Sequence, residues 1–237
     1  AGIELKGASP AEKLKEVQAL MEKLEPAEDF YRVEKKTRKT KNDGAWMNFP
    51  SVSLFSSTAN ADLTKFFKRM GCEASTNAYS ITGSTPLVDS LLSVRYALYS
   101  EYIPNTDLVN YIQESGGTYL YENLYTLPLG FVLPYDLADN WQYQMENPAE
   151  VQNDLCLLLG TDDVLVPVET EVSGSGCTFT ADMAGEYYVY IQNKKVKNVK
   201  ASLPSGEKNF SNVDRGYLLE MGNLSEGSRI TLTPGES

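Results

Sequence analysis

The chain has 237 residues, which is enough for one large domain or two of ordinary size. It carries 21 basic and 32 acidic side chains, a formal net charge of −11, and no histidine. Without histidine, Ser-His-Asp and Cys-His catalysis and histidine-containing zinc sites are excluded, and the commonest general base near neutral pH is missing. The three cysteines, Cys72, Cys156 and Cys177, show no Cys-X-X-Cys spacing. One disulfide of unspecified pairing and three buried thiols are the alternatives.

Charge is distributed unevenly along the chain. Residues 100–193 hold 15 acidic and no basic side chains, whereas the segments before and after them each carry a net charge of +2. An acidic middle third repels the phosphates of nucleic acids, so a nucleic-acid partner is excluded. A solvated acidic surface explains the acidic residues of this segment better than a cation-binding site does. The sequence shows neither a signal peptide nor an apolar run long enough for a membrane span, and it predicts a soluble chain.

The first predicted element is a helix from Ser9 to about Leu24. Ser9-Pro10-Ala11-Glu12 has the pattern of a capping box, and Pro26 ends the helix. A strand is predicted at Phe30–Thr37. Six basic side chains fall in this strand and just after it: Arg32, Lys35, Lys36, Arg38, Lys39 and Lys41. Such a run can contact anionic lipid or polymer phosphate, and the alternative is a solvated strand end and loop.

The next segments alternate turn, strand and helix signals. Asn42-Asp43-Gly44 predicts a turn, which is followed by a loop carrying Trp46 and Phe49 and by a strand at Ser51–Ser57. Asn60 is placed to cap a helix that continues to Met70. Gly71 follows this helix as its C′ residue.

The most informative stretch is Gly83–Tyr99. It predicts a short helix beginning at Pro86 that runs, without a glycine stop, into an apolar strand at Val94–Tyr99. Such a strand is expected in the interior of a sheet. Further on, Leu108–Gln113 and Thr118–Glu122 flank Ser115-Gly116-Gly117 and predict a β-hairpin, although the first arm could also be a short helix.

The periodicity of the sequence changes near Gly160. Before it, a strand is predicted at Leu127–Leu133 and a helix at Asn147–Gly160, whose start repeats the cap-proline-acid pattern. After Thr161 only short alternating strands are predicted: Cys177–Thr180, Glu186–Gln192, Val196–Leu203, Tyr217–Met221 and Ser228–Thr233. The predicted fold class is therefore α+β. A mixed sheet flanked by helices fills residues 1–160, and an all-β sandwich-like domain fills residues 161–237.

Motifs that carry chemistry are few. Gly83-Ser84-Thr85-Pro86 lacks the lysine of a phosphate loop, and Asp162-Asp163 makes a poor acid/base pair because neighbouring residues of an extended chain point to opposite sides. We therefore expect no catalytic residue, no metal site and no cofactor. Four aromatic residues are candidates for stacking on sugar rings, with core packing as the alternative: Trp46, Trp141, Tyr121 and Tyr125.

A family resemblance emerges from an ordered set of segments. They are Ser53-Leu54-Phe55-Ser56-Ser57, the stretch Leu87–Tyr96, Tyr121-Glu122-Asn123 with Leu127-Pro128, and Asn147–Asn153. In this order and spacing they resemble the large extracytoplasmic region of YfhO-family bacterial membrane proteins, over about residues 28–160. The resemblance implies a polytopic parent similar to glycosyltransferases that use lipid-phosphate-linked sugars, with members implicated in decorating lipoteichoic acid and related polymers of Gram-positive bacteria.

The resemblance also sets the expected role of this chain. It is expected to be a non-catalytic domain on the extracytoplasmic face of the cell membrane, with the transmembrane part of the same polypeptide and an anionic polymer or lipid-linked sugar as partners. The family's catalytic acid is expected in the transmembrane part, and because the family continues with further strands, the sandwich is expected to be incomplete. A free-standing carbohydrate-binding or adhesion module is the alternative, and a carboxylate-only hydrolase is the remaining enzyme reading.

A ligand surface is placed by the resemblance and by residue chemistry. Polar side chains between aromatic ones suit sugar hydroxyls and ring faces. The predicted surface consists of Trp46, Asn48, Tyr121, Glu122 and Asn123. The alternative is that Glu122 and Asn123 bond to local backbone and fix the turn before Leu127-Pro128.

Overall fold

The computed structural model describes residues 10–24 and 29–235. The predicted N-cap Ser9 and the helix terminator Pro26 lie outside the described residues. The chain divides into two compact units that alternate along the sequence. The first unit consists of Ala1–Phe55 and Val88–Phe131, and the second of Ser56–Leu87 and Val132–Ser237.

Strands outnumber helices in both units. The helices, in chain order, are α1 Pro10–Met21, α2 Asp43–Met47, α3 Ala61–Arg69, α4 Pro86–Leu91, α5 Leu137–Asn140 and α6 Pro148–Leu158, and a single 3₁₀ turn spans Val213–Arg215. The strands are β1 Arg32–Lys35, β2 Leu54–Phe55, β3 Ala74–Ser75, β4 Ala78–Tyr79, β5 Val94–Tyr99, β6 Val109–Ser115, β7 Thr118–Asn123, β8 Thr170–Ser173, β9 Gly176–Thr180, β10 Gly185–Val189, β11 Asn198–Leu203, β12 Gly206–Ser211, β13 Leu219–Leu224 and β14 Arg229–Pro234. The predicted fold class, α+β with a sandwich-like β-rich part, is confirmed.

The first unit is built on a four-stranded sheet with the strand order β1-β5-β7-β6. Strand β5 pairs in parallel with β1 and antiparallel with β7, so it lies in the interior of the sheet as predicted. The apolar character of its sequence follows from this position, since an interior strand exposes little to water. Strands β6 and β7 form the predicted antiparallel hairpin.

The transition from α4 to β5 depends on Ser93. This residue adopts a left-handed conformation with φ 55°, which a non-glycine residue rarely does. The left-handed backbone at Ser93 changes the direction of the chain, so that α4 ends shortly before Val94 without the glycine that usually ends a helix. The carbonyl of Ser93 then accepts the amide of Arg32 at 2.8 Å, at the start of β1.

One face of this sheet is packed by α1. Val17 and Leu20 of the helix are fully buried in the same cluster as Leu98 of β5 and Leu120 of β7. The helix ends at Met21, three residues before the predicted end. Val17 and Leu20, with the partly buried Leu14 and Met21, form the apolar stripe by which α1 packs on the sheet.

Tyrosines occupy the opposite face of the sheet. Tyr111, Tyr119 and Tyr121 lie on β6 and β7, and rings of Tyr99 and Tyr102 pack edge-on against them. The hydroxyl of the fully buried Tyr121 donates to the carbonyl of Ile103 and accepts its amide, both at 2.8 Å. These two hydrogen bonds hold the segment after β5 against the sheet.

The second unit contains the sandwich-like part. Its larger sheet has the order β12-β11-β14-β9-β8, and strands β10 and β13 form a two-stranded sheet. Both sheets contribute to one core, with Phe179 and Ile230 from the larger sheet and Tyr187 and Leu219 from the smaller. All five strands predicted after Gly160 are present, with shifted ends, and β8 and β12 were missed by the sequence interpretation.

The helices of this unit follow their cap signals. Asn60 accepts the amides of Asp62 and Leu63 at the start of α3, and Gly71 follows the helix with φ 79°. Asn147 caps α6 in the same way through the amide of Ala149. The domain boundary near residues 160–170 stays a prediction, and α6 belongs to the same compact unit as the strands that follow it.

Two local predictions are wrong, and two predicted strands are shorter than expected. Leu127–Leu133 forms no strand, and Leu129 and Val132 are 59% and 98% exposed. The apolar composition of this segment is typical of a buried strand, but Pro128 has no amide hydrogen to donate to a neighbouring strand. Asn42-Asp43-Gly44 begins helix α2, which places Trp46 on a helix rather than in a loop. The strands predicted at Phe30–Thr37 and Ser51–Ser57 shrink to β1 and β2.

We predict that a Ser93→Gly variant is about 1 kcal/mol more stable than a Ser93→Ala variant, because only the alanine pays for a Cβ in the left-handed region. Both variants remove the Ser93 hydroxyl, which is buried without a hydrogen-bond partner. The comparison therefore isolates the backbone. Urea denaturation measures the difference, and equal stabilities would show that Ser93 is not strained.

Candidate functional site: a basic depression after strand β1

A group of charged side chains in the first unit surrounds a small depression where β1 ends. The depression has a volume of about 180 Å³. Its charged lining consists of Glu34, Lys35, Arg38, Lys41 and Asp43, and Thr40, Ser51 and Ser53 contribute hydroxyls. The lining therefore combines three cationic side chains, two carboxylates and three hydroxyls, a formal charge of +1 with both carboxylates ionised.

Asp43 organises the basic loop that forms one wall. Its carboxylate accepts the backbone amides of Lys39 and Thr40 and the Thr40 hydroxyl, each at 2.8 Å, and lies 3.3 Å from the Lys35 ammonium. Burial by itself raises the pKa of Asp43, but these donors and the charge of Lys35 outweigh it and hold the pKa below its ordinary value. Asp43 therefore stays ionised and keeps the loop in one conformation.

Glu34 fixes the opposite wall. Its side chain is only 2% exposed and accepts the hydroxyls of Ser51 and Ser53, both at 2.9 Å, together with the amides of Val52 and Ser53. Gly44 permits this arrangement, because a Cβ at that position would overlap Ser51. Burial raises the pKa of Glu34, and the four hydrogen bonds offset only part of the rise.

The six basic residues predicted to contact an anionic surface do not have equivalent positions. Arg32 donates to the carbonyl of Leu92 at 2.7 Å, and Lys36 forms an ion pair with the buried Asp89 at 3.3 Å. Lys35 is paired with Asp43 and also lines the depression, as do Arg38 and Lys41. Lys39 is exposed. The structure thus brings three of the six side chains to one place, and anion contact by the run stays a prediction.

The predicted aromatic and polar ligand surface is spread over different environments. Trp46 and Asn48 are exposed, at the end of α2 and just after it. Tyr121 and Asn123 are buried, and Asn123 donates to the carbonyl of Val94 at 2.7 Å. Glu122 accepts from Arg95 at 2.9 Å. Ligand binding by this set stays a prediction, while Tyr121 and Asn123 have evident structural roles.

Sequence reasoning missed the two carboxylates of the depression. Glu34 interrupts a basic run and was not singled out, because its donors at Ser51–Ser53 lie far along the chain. Asp43 was interpreted as part of a turn. The signal that could have found it is its position three and four residues after Thr40 and Lys39, within reach of their amides.

The size of the depression limits what it can hold. Pockets for drug-sized ligands measure roughly 300–1,000 Å³. The 180 Å³ of the depression includes space open to solvent, and the part of it that a water molecule can occupy measures about 10 Å³, room for a single water. Among residues 10–24 and 29–235, no group of three or more His, Cys, Asp and Glu side chains is arranged to hold a metal ion.

Comparison with protein families identifies the class of this chain. Residues 6–164 match the family described as bacterial membrane protein YfhO. The match covers more than half of the chain, and the chain belongs to this family. Comparisons with curated proteins and with solved structures gave no match. In the part of the chain that the structure describes, each helix is too short or too polar to cross a bilayer.

We predict that Asp43→Asn lowers the free energy of unfolding by about 1–3 kcal/mol near neutral pH, because hydrogen bonds to a charged acceptor are lost. An acid with a depressed folded-state pKa stabilises the fold above its ordinary pKa of 3.8, and that contribution is lost as the pH falls through the folded-state pKa. The difference between variant and wild type should therefore shrink in acid. Urea denaturation near neutral pH and in acid measures this difference in the free energy of unfolding. A difference that does not change with pH would contradict a lowered pKa for Asp43.

Proposed function

We propose that this chain is the extracytoplasmic region of a polytopic YfhO-family membrane protein, where it holds an anionic surface polymer or a lipid-linked sugar for glycosylation by the membrane part. The observation that carries the proposal is the basic depression after β1, in a chain that belongs to a family of membrane proteins. Lipoteichoic acid and related polymers are the substrate class that the family resemblance suggests.

The depression supports a binding role through its rigidity. Buried carboxylates fix both of its walls, and the Lys36–Asp89 ion pair fixes the start of the basic loop. Cations held in place before a ligand arrives lose less entropy on binding than cations on mobile side chains do.

A non-catalytic role fits the chemistry of the same site. Glu34 is enclosed by four donors and Asp43 by three donors and a lysine, so neither carboxylate is placed to exchange a proton with a glycosidic oxygen. The chain has no histidine to replace them. The transferase chemistry is therefore assigned to the membrane part of the same polypeptide.

A carbohydrate-binding module is the second candidate. It is favoured by the tyrosines of the first sheet, among which Tyr102 is 57% exposed and packs against Tyr111 and Tyr119. Exposed tyrosine offers an apolar ring face and a hydroxyl, the combination that sugars need. The family assignment favours the first candidate, because a free-standing module is not expected in a family of membrane proteins.

We expect the double variant Arg38→Glu/Lys41→Glu, made in the full-length protein, to lower incorporation of sugar into the surface polymer to about a tenth. Loss of one charged hydrogen bond, worth about 1.5 kcal/mol, accounts for that factor. Arg38 and Lys41 are chosen because they line the depression, whereas reversal of Lys35 or Lys36 would leave the buried Asp43 or Asp89 without its cation. Sugar content of the purified polymer is the readout.

The control is the double variant Lys15→Glu/Lys23→Glu, which makes the same charge change at two exposed positions of the first unit. It should leave sugar incorporation unchanged, and circular dichroism should show both variants folded. Unchanged glycosylation in the double variant would show that the depression plays no part in the proposed function. Glycosyl transfer by the isolated 237-residue chain would overturn the non-catalytic assignment.

A further inference from the structure

A continuous stretch of exposed apolar residues runs from Pro128 to Tyr135. Each of its eight residues is exposed, and none carries a charge. Five of them have large apolar or aromatic side chains: Leu129, Phe131, Val132, Leu133 and Tyr135. Exposed apolar residues that stand alone are normal on a protein surface, but a contiguous group of them marks a contact site.

We propose that the segment Pro128–Tyr135 inserts its side chains into the interfacial region of a lipid bilayer. The chain belongs to a family of bacterial membrane proteins, so a bilayer is the apolar phase at hand. Eight residues are too few to cross a bilayer, and the segment therefore lies on the membrane surface. No residue of the segment lines the basic depression, so this contact goes beyond the proposed function and does not depend on it.

The backbone of the segment suits shallow insertion. A backbone amide without a partner is costly in hydrocarbon, and Pro128 and Pro134 have no amide hydrogen. In the part of the chain that the structure describes, the amides of Leu129, Phe131 and Val132 donate to no backbone carbonyl. Headgroups and interfacial water satisfy such amides, whereas the hydrocarbon core does not. The side chains therefore enter the acyl boundary while the backbone stays at the level of the headgroups.

The side chains of the segment favour lipid over a protein partner. From Pro128 to Pro134, no side chain has a hydrogen-bond donor or acceptor. Protein interfaces form about one hydrogen bond per 100–200 Å², whereas the acyl region of a bilayer offers none. Tyr135 is the one polar side chain of the segment and lies at its end. A phenol in that position packs its ring against lipid and keeps its hydroxyl in contact with water.

Charge near the segment predicts which lipids it contacts. Asp136 and Asp139 follow it directly, and residues 100–193 carry 15 acidic and no basic side chains. Anionic headgroups repel these carboxylates within a Debye length, about 8 Å at physiological ionic strength. Zwitterionic lipid should therefore be bound more tightly than anionic lipid. Contact through the cations of the basic loop would give the opposite preference.

Cosedimentation of the 237-residue chain with phosphatidylcholine vesicles tests the proposal. A single myristoyl chain gives reversible membrane binding of about 10⁴ M⁻¹, and five partly inserted side chains should bind no more tightly than that. Binding should therefore be reversible and measurable at about 1 mM lipid. Adding phosphatidylglycerol to the vesicles should weaken it, and added salt should reduce that effect.

A pair of matched double variants assigns the binding to the segment. Leu129→Ser/Val132→Ser should lower the partition coefficient about tenfold or more, because burial of one large aliphatic side chain accounts for about that factor. The control, Leu157→Ser/Val172→Ser, removes the same two side-chain types at positions that are 71% and 79% exposed and lie outside the segment. It should bind as the wild type does. Circular dichroism should show both variants folded.

Tryptophan fluorescence distinguishes insertion from adsorption. The emission of a Val132→Trp variant should move to shorter wavelength when phosphatidylcholine vesicles are added. The change is measured relative to the wild type, in which Trp46 and Trp141 provide the background. A Leu157→Trp variant should show no such shift.

The inference is overturned if the wild type does not bind phosphatidylcholine vesicles, or if both double variants lose binding equally. Binding that requires phosphatidylglycerol overturns it too, because the contact would then belong to cationic side chains. Self-association of the wild type that Leu129→Ser/Val132→Ser abolishes would assign the segment to a second copy of the chain instead. Arg38→Glu/Lys41→Glu should bind phosphatidylcholine vesicles as the wild type does, so the membrane contact and the proposed function are tested separately.

Discussion

The parallel pairing of β1 with β5 is the constraint on which the first unit depends. Two parallel neighbours cannot be joined by a tight turn, because the chain must return to the same end of the sheet. Here the return path runs from Lys36 to Ser93 and includes α2, β2, α3, the β3–β4 hairpin and α4. Part of that path, Ser56–Leu87, belongs to the second compact unit. The alternation of the two units along the chain is thus a consequence of one strand pairing.

The same pairing places the basic loop. Since β1 ends where the return path begins, the chain must leave the sheet at Lys36, and the loop that follows is rich in lysine and arginine. Repulsion among these cations would spread the loop into solvent. Three buried acids prevent this: Asp43 binds the loop from within, Asp89 neutralises Lys36, and Glu34 fixes the serine segment opposite. The depression is what remains between these fixed walls.

Local signals in the sequence predicted most of the elements but not their long-range partners. Caps at Asn60 and Asn147, the Gly116-Gly117 turn and the apolar strand Val94–Tyr99 act over a few residues and were interpreted correctly. The segment Leu127–Leu133 was not, because composition does not distinguish an apolar stretch that is buried from one that is exposed. That distinction depends on whether a neighbouring strand exists, which is a property of the whole fold.

The candidate site shows the same division. The cluster of cations was evident from the sequence, since six basic residues within ten positions cannot be far apart. Their unequal roles were not, because the Leu92 carbonyl that Arg32 contacts and the buried Asp89 that pairs with Lys36 are more than fifty positions away. Only the folded chain reveals which cations support the structure and which line the depression.

Net charge adds a last physical argument about the site. The chain as a whole carries −11, which at first sight argues against any anionic partner. At physiological ionic strength, however, the Debye length is about 8 Å, so an anion in the depression interacts mainly with the side chains that line it. Those side chains are positive overall, and the distant acidic residues contribute weakly. The acidic surface instead opposes non-specific contact with anionic polymers elsewhere on the protein.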